Sequence, residues 1–296
     1  MWYYINMQTP ANRVDLHAHS TYSDGSYTPR EILEAAIGAG LSAVAITDHD
    51  TVDGIGEALC AAKSLIDKVS LIPGVEISAS YPRQLHILGY FHPDRYIKID
   101  AFLKNMKYER DQRNIGILQK LNGYGIRISA DEVAGIAGKE IFGRPHIAAA
   151  LVKKGIVSSI SAAFLEYLGD GRKAYVGKKS LPPHECVQAI ADAGGLAVIA
   201  HPSLTGMKLS ELESLARSLI EYGLFGIEAY YPEHAEALTQ NYAALAGRLG
   251  LASTGGSDFH GEYRKHIRLG TGKEGNLHVP DDVPGIIMKR LDSNCH

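Results

Sequence analysis

The sequence predicts an α/β fold: a parallel barrel of about seven strands interrupted by a helical insertion. Short apolar runs that end in polar, chemically capable residues recur along the chain, and amphipathic helical patterns separate several of them. Between residues 100 and 180 that rhythm stops, and helical patterns follow one another instead. A length of 296 residues, 45% of them apolar and 21% charged, suits one large soluble domain or one domain carrying an insertion.

The runs at residues 14–17, 43–47, 71–75, 86–90, 196–200, 225–228 and 251–254 read as buried strands. Helical patterns cover 29–39, 56–66, 183–193, 209–222 and 235–249. Strand and helix in alternation indicates parallel pairing, and about seven strands suggest a barrel. Residues 1–99 and 181–296 are therefore assigned to the barrel and residues 100–180 to a helical subdomain, with helices expected at 102–121, 130–136, 145–153 and 159–168. Gly123, Gly125, Gly143 and Gly155 stand where helix ends or turns belong. The tail after Gly272 is too irregular to assign.

Several classes are excluded early. The aromatic start, Trp2, Tyr3 and Tyr4, lacks the basic residues, long apolar core and cleavage site of a signal peptide. No apolar run approaches the roughly 18 to 20 residues a membrane helix needs, so no membrane partner is expected. Cys60, Cys186 and Cys295 lie far apart with no paired spacing, which suggests neither a disulfide framework nor a thiolate zinc site and fits a reducing cytoplasm. A net charge of −3 argues against a general polyanion-binding surface, and neither duplex nucleic acid nor an obligatory protein partner is expected. The charge is uneven: residues 100–180 carry 14 Lys/Arg against 8 Asp/Glu, net +6, which leaves −9 on the rest.

The chemistry gathers at strand ends. The first strand leads into Asp15-Leu16-His17-Ala18-His19, and on an extended chain His17 and His19 point to one side. The second ends in Thr47-Asp48-His49-Asp50, the third in Gly74-Val75-Glu76, and the fourth begins at Leu85-His86. The fifth ends in Ala200-His201-Pro202, and the last leads into Gly256-Ser257-Asp258-Phe259-His260. Barrel active sites are built at such ends. Six histidines aimed into one mouth, where branched aliphatics would otherwise pack, are most simply explained by shared metal. Imidazole with carboxylate suits manganese, iron, zinc or cobalt better than calcium or magnesium.

These motifs, with Asp24 in Ser23-Asp24-Gly25, Pro73-Gly74-Val75-Glu76 and His86, resemble the PHP (polymerase and histidinol phosphatase) superfamily over nearly the whole chain. Within it the chain is most similar to stand-alone phosphoesterases with a helical insertion, which include nucleoside 3′,5′-bisphosphate phosphatases and ribonuclease AM-like enzymes. The resemblance implies a distorted (β/α)7 barrel and three divalent ions, Mn2+ first, with Fe2+ or Zn2+ as alternatives. One ion would take His17, His19, Glu76 and Asp258; a second Glu76, His86 and His201; a third Asp24, His49 and His260. Glu76 would bridge the first two, and Glu76, Asp258 and His201 are assigned the catalytic part. Asp24 stands where some relatives carry histidine, which suggests a harder third site. The implied reaction is hydrolysis of a phosphate ester by a metal-activated hydroxide.

The insertion adds candidate anion contacts. Leu103, Met106, Ile117 and Leu121 mark an apolar stripe, and Arg110 and Arg113 fall on that stripe. Guanidinium groups there need anionic partners, either a substrate or internal acids such as Glu109 and Asp111. Arg144 and His146 flank Pro145, which reads as the first residue of a helix, so one phosphate could meet both side chains and a helix N-terminus. His234 is a further substrate-contact candidate; Glu228 could touch the substrate or orient a ligand. His92, His184, His266, His278 and His296 fit no ligand position and are expected on the surface, with Lys178 and Lys179 solvated.

The leading expectation is a phosphatase or exonuclease acting on small phosphorylated nucleotides, either 3′,5′-bisphosphonucleosides or short 5′-phosphorylated oligonucleotides. The alternatives are a histidinol-phosphate-type phosphatase, a non-catalytic metal-binding module and an amidohydrolase. No lysine stands at a strand end as carbamylated bridging sites require, which counts against the last. The sequence leaves open the exact substrate, monoester or diester preference, the native metal, the leaving-group acid and the oligomeric state.

Overall fold

The computed structural model describes residues 13–65, 68–82, 84–137, 143–177 and 181–294. The aromatic start, Lys178, Lys179, Cys295 and His296 lie outside the described residues. The chain divides into two compact units, residues 1–103 with 181–296, and residues 104–180.

In the first unit all seven expected strands form one sheet in chain order: β1 (Arg13–Asp15), β2 (Leu41–Ile46), β3 (Ser70–Ala79), β4 (Leu85–Tyr90), β5 (Leu196–Ile199), β6 (Leu224–Tyr230) and β7 (Ala252–Gly255). The Leu16 N–H donates to Gly255 O at 3.1 Å, and Ala18 bridges Phe259, so the last strand returns to the first and the sheet is nearly closed. The helices α1 (Pro29–Gly38) and α2 (Ile55–Ser64) follow β1 and β2. Thr28 and Glu31 cap the start of α1 reciprocally.

The expected all-parallel order fails at one strand. β4 runs antiparallel to both β3 and β5, because the five residues between Ala79 and Leu85 are too few for the crossover a parallel neighbour requires. The reversal explains why His86 stands at the start of its strand while Glu76 lies in the second half of β3 and the other candidate ligands follow theirs. The start of an antiparallel strand lies at the same end of the sheet as the finishes of its parallel neighbours.

The tail also corrects the expectation. A two-stranded ribbon, β8 (Ile267–Arg268) with β9 (Gly272–Lys273), precedes a helix at Val283–Ser293. Val283, Ile287 and Leu291, spaced four apart on one helix face, pack with Val14, Ala43, Ala45 and Val198 of the strands and Leu16 just after β1 in one buried cluster. His92, expected at the surface, is buried, and its Nδ1 accepts from the Asp94 N–H at 3.1 Å.

The second unit is helical, as expected. It holds most of a long helix, α3 (Asp100–Gly123), then α4 (Ala130–Ala137), α5 (Arg144–Lys153) and the short α6 (Ile160–Ala163), which runs into a π-helical turn at Phe164–Leu168. It has its own core, which includes Ile117, Leu121, Val133, Ile147, Leu151 and Leu168. Among the described residues no helix is long and apolar enough to cross a membrane.

Candidate metal centre

The strand ends of the barrel unit bring eight candidate donors into three overlapping groups among the described residues: His17, His19, Glu76 and Asp258; His19, Asp24, His49 and His260; and His49, Glu76 and His86. The first group is the set named for one ion. In the second, His19 joins the expected trio of Asp24, His49 and His260. His201 stands beside the third, its Nε2 2.8 Å from Glu76 Oε1, as is His86 Nδ1.

Glu76 is the hub. Its Oε1 faces His86 and His201, while its Oε2 lies 3.3 Å from the Nε2 atoms of both His17 and His19 and 3.1 Å from His49 Nδ1. The side chain is buried, and a fully buried carboxylate ringed by imidazoles requires positive charge among them. Burial pushes the Glu76 carboxyl up, but His49, His17 and His86 outweigh it and hold the group well below the usual carboxylate range. Burial also disfavours charge on His19, but the Asp258 and Glu76 carboxylates beside it prevail and push it up to about 10. His17 rises as well: burial opposes it, and Glu228, Glu76 and Asp258 overcome the opposition.

This arrangement fits divalent ions. His17 Nε2 and His19 Nε2 face each other at 3.1 Å, with Asp258 Oδ1 3.5 and 3.1 Å away from them. The His49 Nδ1 and Glu76 Oε2 atoms, though close, are buried without a hydrogen bond. Electron-pair donors converging on shared points in a buried space are the donor set of a metal centre rather than of a hydrogen-bond network. Asp24 lies on a half-open loop, its oxygens 3.3 Å from His260 Nε2, 3.6 Å from His19 Nδ1 and 3.7 Å from His49 Nε2.

A family model, the PHP domain, matches residues 15–269. The chain belongs to the PHP domain family. A 5′-3′ exoribonuclease of Haemophilus influenzae is 36% identical over 84% of this chain and 90% of its own. A 3′,5′-nucleoside bisphosphate phosphatase of Chromobacterium violaceum is 33% identical over 83% and 87%. A solved structure from Bifidobacterium adolescentis, described as a predicted metal-dependent phosphoesterase, superposes with a TM-score of 0.70 at 33% identity, covering 96% of this chain and 98% of its own. The class expected from the motifs, a metal-dependent phosphoric ester hydrolase, is the class of these relatives.

A second layer of residues holds the PHP donors, and most of it escaped the sequence reading. Glu228 is buried. It takes the His17 Nδ1–H on Oε1 at 3.0 Å and the His201 backbone N–H on Oε2 at 2.6 Å, so of its two expected roles the geometry shows ligand orientation. Asp15 accepts from the backbone N–H groups of Ser257 (2.8 Å), His17 (3.3 Å) and Gly270 (2.6 Å), tying the end of β1 to the loop after β7. Asp48 accepts from the Ser20 N–H, Ser20 Oγ and Ser23 Oγ at 2.6 to 2.7 Å and so shapes the loop that carries Asp24. Asp15 had a detectable signal, a carboxylate between Val14 and Leu16 in a buried apolar run. The Tyr231 and Arg264 contacts to Asp258 had none.

His234 is buried between the rings of Tyr231 and Tyr242; its Nδ1–H donates to Ala229 O at 2.8 Å, and its Nε2 has no hydrogen-bond partner. In the helical unit Arg110, Arg113 and Arg144 influence one another. Burial first, then Arg144 and Arg110, lower the Arg113 guanidinium from its ordinary value. Arg144 lies 3.9 Å from Asp170 and over the Phe164 ring. His146 turns its Nδ1 back to accept from the Gly143 N–H at 3.1 Å, at the start of α5. A cavity of about 1050 Å3 opens instead at the other ends of β5, β6 and β7, and its lining holds no histidine, cysteine or glutamate. Donor chemistry, not void size, marks the functional site.

Proposed function

We propose that this chain is a cytoplasmic phosphoesterase that hydrolyses phosphate esters of small nucleotides carrying a second phosphate, with three divalent ions, Mn2+ foremost. The observation that carries the nucleotide reading is the arginine cluster in the helical unit. Arg113 is partly buried with Arg144 and Arg110 near enough to lower it, a concentration of guanidinium charge that suits a phosphate. Arg110, Arg113, Arg144 and His146 are the proposed contacts for the phosphate that is not cleaved, with His234 as a further substrate contact through its Nε2.

The proposed ligand sets are His17, His19, Glu76 and Asp258; Glu76, His86 and His201; and Asp24, His49 and His260. Bound ions supply Lewis acidity for water activation and positive charge for the phosphoryl oxygens. The chain's own part is placement. Glu228 keeps the His17 proton on Nδ1, so that Nε2 presents a lone pair to the centre. Glu76 offers both oxygens, and His201 is aimed by the hydrogen bond from its own backbone to Glu228.

The test is phosphate release from adenosine 3′,5′-bisphosphate by Mn2+-loaded protein, beside 3′-AMP, 5′-AMP, a short 5′-phosphorylated RNA and histidinol phosphate. Preference for the bisphosphate or the RNA, with Arg144→Ala costing more on these than on the simple monoesters, supports the reading. Equal or better turnover of histidinol phosphate removes the nucleotide assignment and leaves the metal centre standing.

A further inference from the structure

The two carboxylates that meet both His17 and His19 are held differently. Both oxygens of Glu76 face imidazoles. Asp258 is divided: Oδ1 lies 3.1 to 3.5 Å from nitrogens of His19, His17 and His260, whereas Oδ2 accepts from Arg264 Nη1 at 2.6 Å and from the Tyr231 hydroxyl at 3.1 Å. Arg264 in turn donates through Nη2 to Glu233 Oε1 at 3.2 Å. Tyr231 and Glu233 follow β6, and Arg264 follows β7, so this strap joins two loops through one ligand. Asp258 also sits at φ +56°, a left-handed backbone that costs a non-glycine residue energy and persists only where its surroundings enforce it.

We propose that Arg264, with Tyr231 and Glu233, is a positioning device that holds Asp258 through Oδ2 and so keeps Oδ1 turned to the imidazoles, where it would serve a metal ion. The inference rests on the metal-centre reading above and adds to it the residues that aim one of its ligands. Two effects of Arg264 oppose each other. Its hydrogen bond orients the carboxylate, while its charge repels a nearby cation and draws electron density from the ligand. Glu233 on the far side of the guanidinium offsets that charge, so orientation prevails and the strap strengthens metal binding. Second-layer partners of this kind are worth about 10- to 100-fold in metal affinity or activity.

The experiment loads wild type, Arg264→Gln, Arg264→Lys, Tyr231→Phe and Glu233→Gln with Mn2+. Each is exposed to graded EDTA, and retained manganese per chain is read by atomic absorption. The melting temperature of each stripped protein and the kcat and KM for phosphate release are measured beside it. Expected are Arg264→Gln and Tyr231→Phe surrendering manganese at roughly tenfold lower EDTA, with stripped-protein melting near wild type and KM within about threefold. Arg264→Lys recovers part of the loss, since an ammonium keeps the charge but not the planar fork. Glu233→Gln also weakens retention, by leaving the Arg264 charge unbalanced. Tyr231→Phe removes a single hydroxyl and keeps the test open if Arg264→Gln does not fold. Wild-type retention in these variants, tighter retention in Arg264→Gln, or a tenfold rise in KM with manganese held as in wild type would each overturn the inference alone. A wild-type protein that retains no Mn2+ would overturn the metal-centre reading with it.

Discussion

At the scale of single residues, the centre depends on groups that never reach the ions. Glu228 serves two donors with two oxygens. An amide in its place has one oxygen and one NH2, so either the His17 Nδ1–H or the His201 N–H loses its acceptor. Glu228→Gln is expected to lower activity or Mn2+ affinity by about 10- to 100-fold with the fold intact; unchanged metal retention and turnover would show that the contact is incidental. Asp15 supports a different step, the closure of the sheet. Asp15→Asn replaces one acceptor oxygen by an NH2 that faces either the Gly270 N–H or those of Ser257 and His17, leaving one or two buried N–H groups unsatisfied at about 1 to 3 kcal/mol each. Urea unfolding of the stripped protein should show a loss of about 2 to 4 kcal/mol, and a midpoint equal to wild type would refute the assignment. The sequence shows the donors themselves because histidine and carboxylate are out of character in buried strand ends. It hides the outer layer because Glu228, Tyr231 and Arg264 acquire their partners only when distant loops meet.

Elements were legible where periodicity carried the signal and obscure where direction did. All seven strands stand where apolar runs predicted them, yet nothing in the run at β4 tells an antiparallel strand from a parallel one. The signal lay in the short link before it, which no helix could fill. The C-terminal helix was readable in principle: Val283, Ile287 and Leu291 recur every four residues, but Pro284 and Gly285 in the first turn mask the pattern. The close passage of β1 against the loop after β7 is an element-level requirement of the same kind. A Cβ on Gly256 would fall inside van der Waals contact of His17 Cβ and N and crowd Asp15 Oδ1 at 2.9 Å. These are backbone and ligand atoms with little freedom to move, so overpacking of about 1 to 3 kcal/mol is expected. Gly256→Ala should therefore both melt earlier and retain less Mn2+, the second effect setting it apart from a remote core substitution. Full metal retention with a lowered melting temperature would place the strain away from His17.

For the whole molecule, the centre is a reserve of buried charge whose balance depends on protons when metal is removed. In the stripped protein His19 is raised from 6.5 to about 10 and His17 is raised as well, by the carboxylates around them against the opposing effect of burial. A raised histidine contributes stability that is fully present below its unfolded pKa of 6.5 and is lost as pH climbs through its folded value. Glu76 and Asp258 are depressed, and their contribution is present above the ordinary carboxylate range and lost as pH falls. His49 is lowered and Asp15 raised, both with burial as the leading cause. Stripped protein should thus lose melting temperature steadily from pH 6.5 to 10. Mn2+-loaded protein should not, because the ligand imidazoles are neutral when they bind metal and binding releases the protons that stripped protein must hold. The gap between the two melting curves should widen across that window, and Mn2+ affinity should rise with it. Parallel curves from pH 6.5 to 10 would mean that His17 and His19 do not share their protons with the site that holds the metal. The three-group assembly around Glu76 would then have to be drawn without them.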